Sequence, residues 1–203
     1  MLDILERVHQ SGFVYNDLKL DNFLLDVKVD SQQLITSNEN FFETLKVHLI
    51  DFGFATTYLD TKTHEHLEKK RLDLFRGNME FSSINQMKFH STSRRDDLIS
   101  LFYLIVYMLK GGIIPGFGSR KNDSELYEDF ELIYNIKKSK KTKKFCFENT
   151  ADLADFKREI FGYHFKDTPD YERLRNMLIT LRDSDSNVKS LGISSHSDTP
   201  SDY

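Results

Sequence analysis

Two short strings hold residues whose types and spacing could do chemistry together. In YNDLKLDN, Asp17, Lys19 and Asn22 form the pattern D-x-K-x-x-N, and in IDFG, Asp51 is followed by Phe52 and Gly53. Phosphoryl transfer from a nucleotide asks for a carboxylate near the attacking hydroxyl, a cation near the moving phosphoryl group, and two oxygen donors for Mg²⁺. Asp17, Lys19, Asn22 and Asp51 supply that set. An Asn paired with an Asp binds a hard cation through oxygen without excess negative charge beside the phosphates. Either string alone is a common surface turn. Both together, in this order and each beside a β-rich run, point to a phosphotransfer centre.

Such a centre needs elements to hold it. The β-rich runs are Phe23 to Asp26 and Leu45 to Ile50, joined by a polar connection too long for a tight hairpin. The stretch before Asp17 places Leu2, Leu5 and Val8 on one helical face and stops at Gly12, so the chain begins inside an amphipathic helix and reads as cut. Residues 96–110, DDLISLFYLIVYMLK, are apolar nearly all round a helix, which predicts a buried central helix ended by Gly111, Gly112 and Pro115. This segment is too short to span a bilayer. Three amphipathic helices follow, over Glu125 to Ile136, Asp152 to Tyr163 and Asp170 to Asp183. After Arg182 the composition turns to Ser, Asp, Asn and Thr and reads as a solvated tail.

The 203 residues are 39% hydrophobic and 30% charged, enough for a packed core. A net charge of −4 argues against nucleic acid or an anionic membrane as the main partner. The single cysteine, Cys146, excludes an intrachain disulfide and a cysteine-built zinc site. With no signal-peptide pattern at the start, the expected setting is intracellular, in the cytoplasm and/or nucleus.

With these residues in view, the chain resembles the C-terminal lobe of a eukaryotic protein kinase, and within that superfamily the casein kinase I group. The group-specific strings are FSSINQM at Phe81 to Met87 and SRRDDLISL at Ser93 to Leu101, supported by THEHL, IYNIKKSKK and TPDYERLRNML. The resemblance covers residues 1–182, leaving 183–203 as a polar tail. It implies a mainly α fold, a helical bundle with a small β-ribbon carrying the catalytic loop and DFG. It implies ATP and Mg²⁺ as cofactors and protein substrates as partners, with neither nucleic acid nor membrane. Asp17 would be the catalytic base, Lys19 would neutralise the γ-phosphate, and Asn22 and Asp51 would hold the metal. Leu24 matches the floor under adenine, Ile50 the residue before the metal-binding Asp, and Asp97 a buried aspartate that binds the catalytic-loop backbone.

Departures from that pattern carry their own expectations. Tyr15 and Asn16 stand where H-R usually precedes the Asp, so an arginine that would read a phosphorylated activation segment is missing. Asn78 replaces a threonine that bridges the catalytic Asp and Lys, and an amide could still make one bond to each. Glu80 replaces an arginine that reads acidic or phosphorylated substrates. The lysines from Lys137 to Lys144 read as a solvated helix end, and His64 and His66 as a solvated loop pair rather than metal ligands. The glycines of GGIIPGFG follow the core helix, out of place for a phosphate cradle.

Only sixteen residues precede Asp17, without a Gly-rich loop or a V-A-I-K string, so half of the ATP site lies outside the chain. The expectation is an N-truncated serine/threonine kinase, weak or inactive alone, with Leu24 and Ile50 exposed to water. The alternatives are a pseudokinase-like binding or scaffold module without turnover, and a small-molecule phosphotransferase, against which the SIN and SRRDDL strings argue.

Overall fold

Helix α1 (Leu2–Gln10) turns its Leu2, Leu5 and His9 face inward and ends where Gly12 takes φ +86°. The chain then enters strand β1 (Phe13–Val14), which pairs antiparallel with β4 (Thr56–Thr57), Phe13 opposite Thr57. Between them, a 3₁₀ turn (Leu20–Asn22) leads into β2 (Phe23–Asp26), which pairs antiparallel with β3 (Lys46–Leu49) from Phe23–Leu49 to Asp26–Lys46. The expected strand runs thus form one ribbon, while the two-residue β1–β4 pair had no signal of its own.

The computed structural model describes residues 1–26, 45–112, 126–139 and 153–190. The connection between β2 and β3, Pro115, the lysines from Lys140 to Lys144, Cys146 and residues 191–203 lie outside them.

A short helix α2 (Ile84–Met87) opens at Ser83, whose hydroxyl accepts the Gln86 N–H. Helix α3 (Arg94–Leu109) is the axis of the molecule and is buried on every side from Asp96 to Leu104, in keeping with apolar residues nearly all round it. Its start is fixed by Asp96, whose carboxylate accepts the Ser93 N–H at 2.9 Å and the Ser83 hydroxyl at 2.6 Å. One buried acid therefore joins the SIN string to the SRRDD string. Helices α4 (Leu126–Lys138), α5 (Ala154–Gly162) and α6 (Tyr171–Ser190) follow. The last continues past Arg182 to Ser190.

The core gathers Leu5, Tyr15, Leu18, Phe102, Phe156 and Leu174 around α3. Deleting a side chain of this kind costs about 2–5 kcal/mol. Arg175 ties α6 to α1 by donating to Asp3 at 2.7 Å and to Glu6 at 2.6 Å. The fold is mainly helical, as expected, and among the described residues it holds two small sheets where one ribbon was expected. Among the described residues, no helix is long and apolar enough to cross a membrane.

Candidate active site

The loop between β1 and β2 is hung from α3 by Asp97. Its buried carboxylate accepts the Tyr15 N–H at 2.6 Å and the Asn16 N–H at 2.8 Å, and lies 2.9 Å from His9 Nε2. This is the backbone-binding role the resemblance implied for Asp97. On its far side, His9 Nδ1 lies 2.6 Å from the Tyr171 hydroxyl. A neutral ring that donates from Nε2 and accepts at Nδ1 satisfies all three groups. Burial pushes the Tyr171 phenol well up, which keeps its proton available for that bond. Sequence reasoning passed over His9 because a single polar residue on a helix carries no period.

Asn16 sits at φ +71°, a region that Asn tolerates better than most residues. Its Nδ2 donates to Phe54 O at 2.8 Å and to Thr56 Oγ1 at 2.9 Å, and its Oδ1 accepts from Thr92. Its carbonyl accepts from Gln86 Nε2 at 2.8 Å. The position where an arginine would await a phosphate is thus filled by an amide already bonded to the segment after DFG. Gly77 passes over the same carbonyl at φ +96°, where a Cβ would come within 2.2 Å of Asn16 O.

Asp17 is 2% exposed. Its Oδ2 lies 3.3 Å from Lys19 Nζ and accepts from Asn22 Nδ2 at 3.1 Å, while Oδ1 accepts from Asn78 Nδ2 at 3.0 Å. Asn22 Nδ2 also donates to the Asp17 carbonyl at 3.0 Å, so its oxygen is the atom with which Asn22 could ligate a cation. Asn78 departs from the expected bridge. Its nitrogen takes Leu18 O at 2.8 Å as a second acceptor and its oxygen accepts the Phe81 N–H at 2.8 Å, so both ends are spent on Asp17 and the backbone rather than on Lys19.

The DFG side meets this loop through Ile50. Its N–H donates to Asn22 O at 3.0 Å, and its carbonyl accepts the Tyr15 hydroxyl at 2.6 Å. Burial, with the carboxylates of Asp17, Asp51 and Asp97 adding to it, pushes the Tyr15 phenol well up, so it stays a donor. The Tyr15 ring meets Phe52 edge-on at 5.3 Å. Asp51 follows at φ +57°, exposed, its Oδ1 accepting the Gly53 N–H at 3.1 Å. Asn22 and Asp51 offer oxygen atoms, the donor type a hard cation selects. Among the described residues, no group of three or more His, Cys, Asp or Glu could hold a metal; the expected pair is one amide and one carboxylate.

Leu24 and Ile50 are 50% and 38% exposed, with Phe52 and Phe54 beside them at 50% and 42%. This is the open apolar face anticipated above the ribbon.

Two expectations about charge fail. Lys137 is not part of a solvated strip: it is 3% exposed, donates to Met79 O at 2.7 Å and Ser82 O at 2.6 Å, and lies 4.9 Å from the centre of the Tyr103 ring. Backbone carbonyls with no helix or strand partner drew it inward. His66 is half-buried rather than solvated, between Tyr58 and Phe165 with ring centres at 5.1 and 5.0 Å, and burial lowers its pKa.

No family model matches the chain. It is 30% identical over 191 residues to the casein kinase I homolog RAG8 of Kluyveromyces lactis, a match covering 90% of this chain and 32% of that protein. The chain therefore spans about a third of the length of this relative. With the site geometry and the SIN and SRRDD strings in place, the chain is similar over most of its length to a part of this casein kinase I homolog.

Proposed function

We propose that the chain carries the phosphate-transfer half of a serine/threonine protein kinase site, which moves the γ-phosphate of ATP to a hydroxyl on a protein substrate. The observation that supports this best is the convergence on Asp17. A buried carboxylate is held on one oxygen by Asn78 and on the other by Asn22 and Lys19, and the Ile50–Asn22 bond sets the DFG string beside it.

In this reading Asp17 accepts the proton of the acceptor hydroxyl, Lys19 balances charge on the moving phosphoryl group, and Asn22 and Asp51 present oxygen atoms to Mg²⁺. Mg²⁺ bound there would offset charge developing on the phosphates. Leu24 and Ile50 give the adenine an apolar floor. The reading carries with it an intracellular setting, in the cytoplasm and/or nucleus.

The test is transfer of labelled γ-phosphate from millimolar Mg·ATP to a serine-bearing protein acceptor. The Asp17→Asn variant should lose about 10²- to 10⁴-fold of the rate. Transfer that is equal in that variant would overturn the reading, and nucleotide-independent acceptor binding without any transfer would favour a module without turnover.

A further inference from the structure

We propose that Glu80 selects acceptor proteins that carry a lysine or arginine near the serine or threonine hydroxyl that Asp17 faces. The inference rests on the reading of Asp17 given above for the place of that hydroxyl, and adds the charge of the residue beside it.

Glu80 lies on a stretch that is fixed on both sides. Asn78, two residues earlier, donates to Asp17 Oδ1 at 3.0 Å, and its own oxygen accepts the Phe81 N–H at 2.8 Å. The carbonyls of Met79 and Ser82 accept from the buried Lys137 at 2.7 and 2.6 Å, and the Ser82 hydroxyl donates back to Met79 O at 3.1 Å. The Phe81 ring is 4% exposed and stands edge-on to Tyr107 at 5.4 Å. The backbone at Glu80 is therefore set by its neighbours and not by its own side chain.

That side chain is left for a group from outside. Glu80 is partly buried, and among the described residues no hydrogen bond or ion pair holds its carboxylate. Its charge does act on the Lys137 ammonium. Lys137, however, is 3% exposed and turned onto backbone carbonyls, so a ligand arriving from solvent meets the acid and not the amine.

Reach ties Glu80 to the transfer site. Two residues of chain span at most about 7 Å, which bounds the distance between the α-carbons of Glu80 and Asn78. An acceptor segment advances about 3.3 Å per residue, so a long side chain one to three residues from a hydroxyl at Asp17 can cover that gap. A guanidinium can give a carboxylate two parallel hydrogen bonds. Partial burial reduces screening by water, so the pair counts for more than one on open surface. An acid at the same position would be repelled by Glu80. Arg71 and Lys88 are exposed beside the Asn78 face of the loop and pull the other way, toward an acid.

Fluorescein-labelled peptides with one serine, varied to Arg, Ala, Asp or phosphoserine at each of the three positions on either side, would be titrated into the full chain and followed by anisotropy. At one position the Arg peptide should bind about three- to fivefold tighter than the Ala peptide in low salt, with the ratio falling toward one in about 0.5 M NaCl. Glu80→Gln should bring the two peptides to equal affinity, and Glu80→Arg should turn the preference to Asp. Glu131→Gln, which removes an exposed acid of α4, should keep the Arg preference. On the parent chain, where no variant has to fold, a carbodiimide should join a peptide with Lys at that position to the Glu80 carboxylate, located by mass spectrometry. No binding by any peptide, equal binding of Arg and Ala peptides, preference for Asp or phosphoserine in the parent, an Arg preference that survives Glu80→Gln, or cross-links to other carboxylates alone would overturn the proposal. Phosphate transfer is read separately: a chain that follows the Arg rule yet transfers nothing keeps this inference and defeats the catalytic reading. One that binds and phosphorylates all peptides alike defeats this inference alone.

Discussion

Asp97 in the central helix accepts the N–H groups of both Tyr15 and Asn16, so one buried carboxylate sets the backbone on which Asp17 is mounted. An amide in its place keeps only one acceptor atom and turns an N–H₂ toward groups that are themselves donors. Asp97→Asn should lower stability by about 3 kcal/mol, read from urea unfolding, because two charge-assisted bonds weaken and a buried donor is stranded. An unchanged midpoint would show that the loop is held by other contacts.

Gly77 and Asn16 are in a closer relation than any side chain permits. A Cβ at Gly77 would sit 2.2 Å from Asn16 O, and the φ of +96° is strained for other residues. Gly77→Ala should cost about 1–3 kcal/mol in chemical denaturation and displace the neighbouring Asn78 from Asp17. Near-neutral behaviour would mean that the loop swings away without penalty.

Asn16 already bonds to Phe54 O and Thr56 Oγ1, leaving no arginine at that place to meet a phosphate. A charge added at the exposed Thr61 should therefore leave the site as it is. Thr61→Glu should give the same amide exchange at Asn16 and Asp17 as the parent chain. Slower exchange there on adding the charge would reveal a phosphate-reading contact.

Lys137 gives a pH dependence of definite sign. Burial lowers its pKa well below 10.5 in the folded chain, with Glu80 opposing the shift. Between the lowered folded value and the unfolded value near 10.5, the unfolded chain binds more protons, so this residue's contribution makes stability rise with pH. Below that window the cost of burying the charge is fully present. The midpoint difference between the parent and Lys137→Met should shift in the parent's favour as pH climbs through this window. A difference that is flat, or that moves the other way, would contradict a buried charge.

Much of this was legible in the sequence, for reasons that can be stated residue by residue. Helix α3 showed itself because burial on all sides leaves apolar residues nearly all round the helix, and the β2–β3 ribbon because β-rich segments flank polar ones. Asp17, Asn22 and Asp51 were singled out by spacing, and the fold joins the loop of Asn22 to the DFG string through the Ile50–Asn22 bond. The β1–β4 pair was hidden because two residues are too short for any alternation. His9 and Lys137 were hidden because each owes its burial to distant partners, Tyr171 and Asp97 for the one, Met79 and Ser82 for the other. Asn78 was read correctly toward Asp17 and wrongly toward Lys19, since a local motif does not reveal that Leu18 O and Phe81 N–H take its remaining bonds.

The central claim, that Asn22 and Asp51 form the metal side of a nucleotide site, is tested most directly by the thermal midpoint of the full chain against ATP, with and without Mg²⁺. The account predicts a rise that needs millimolar nucleotide, requires Mg²⁺ and disappears in Asp51→Asn, following the mass-action form of ligand stabilisation. A midpoint indifferent to Mg·ATP, or one that rises equally without Mg²⁺ or in Asp51→Asn, would contradict it.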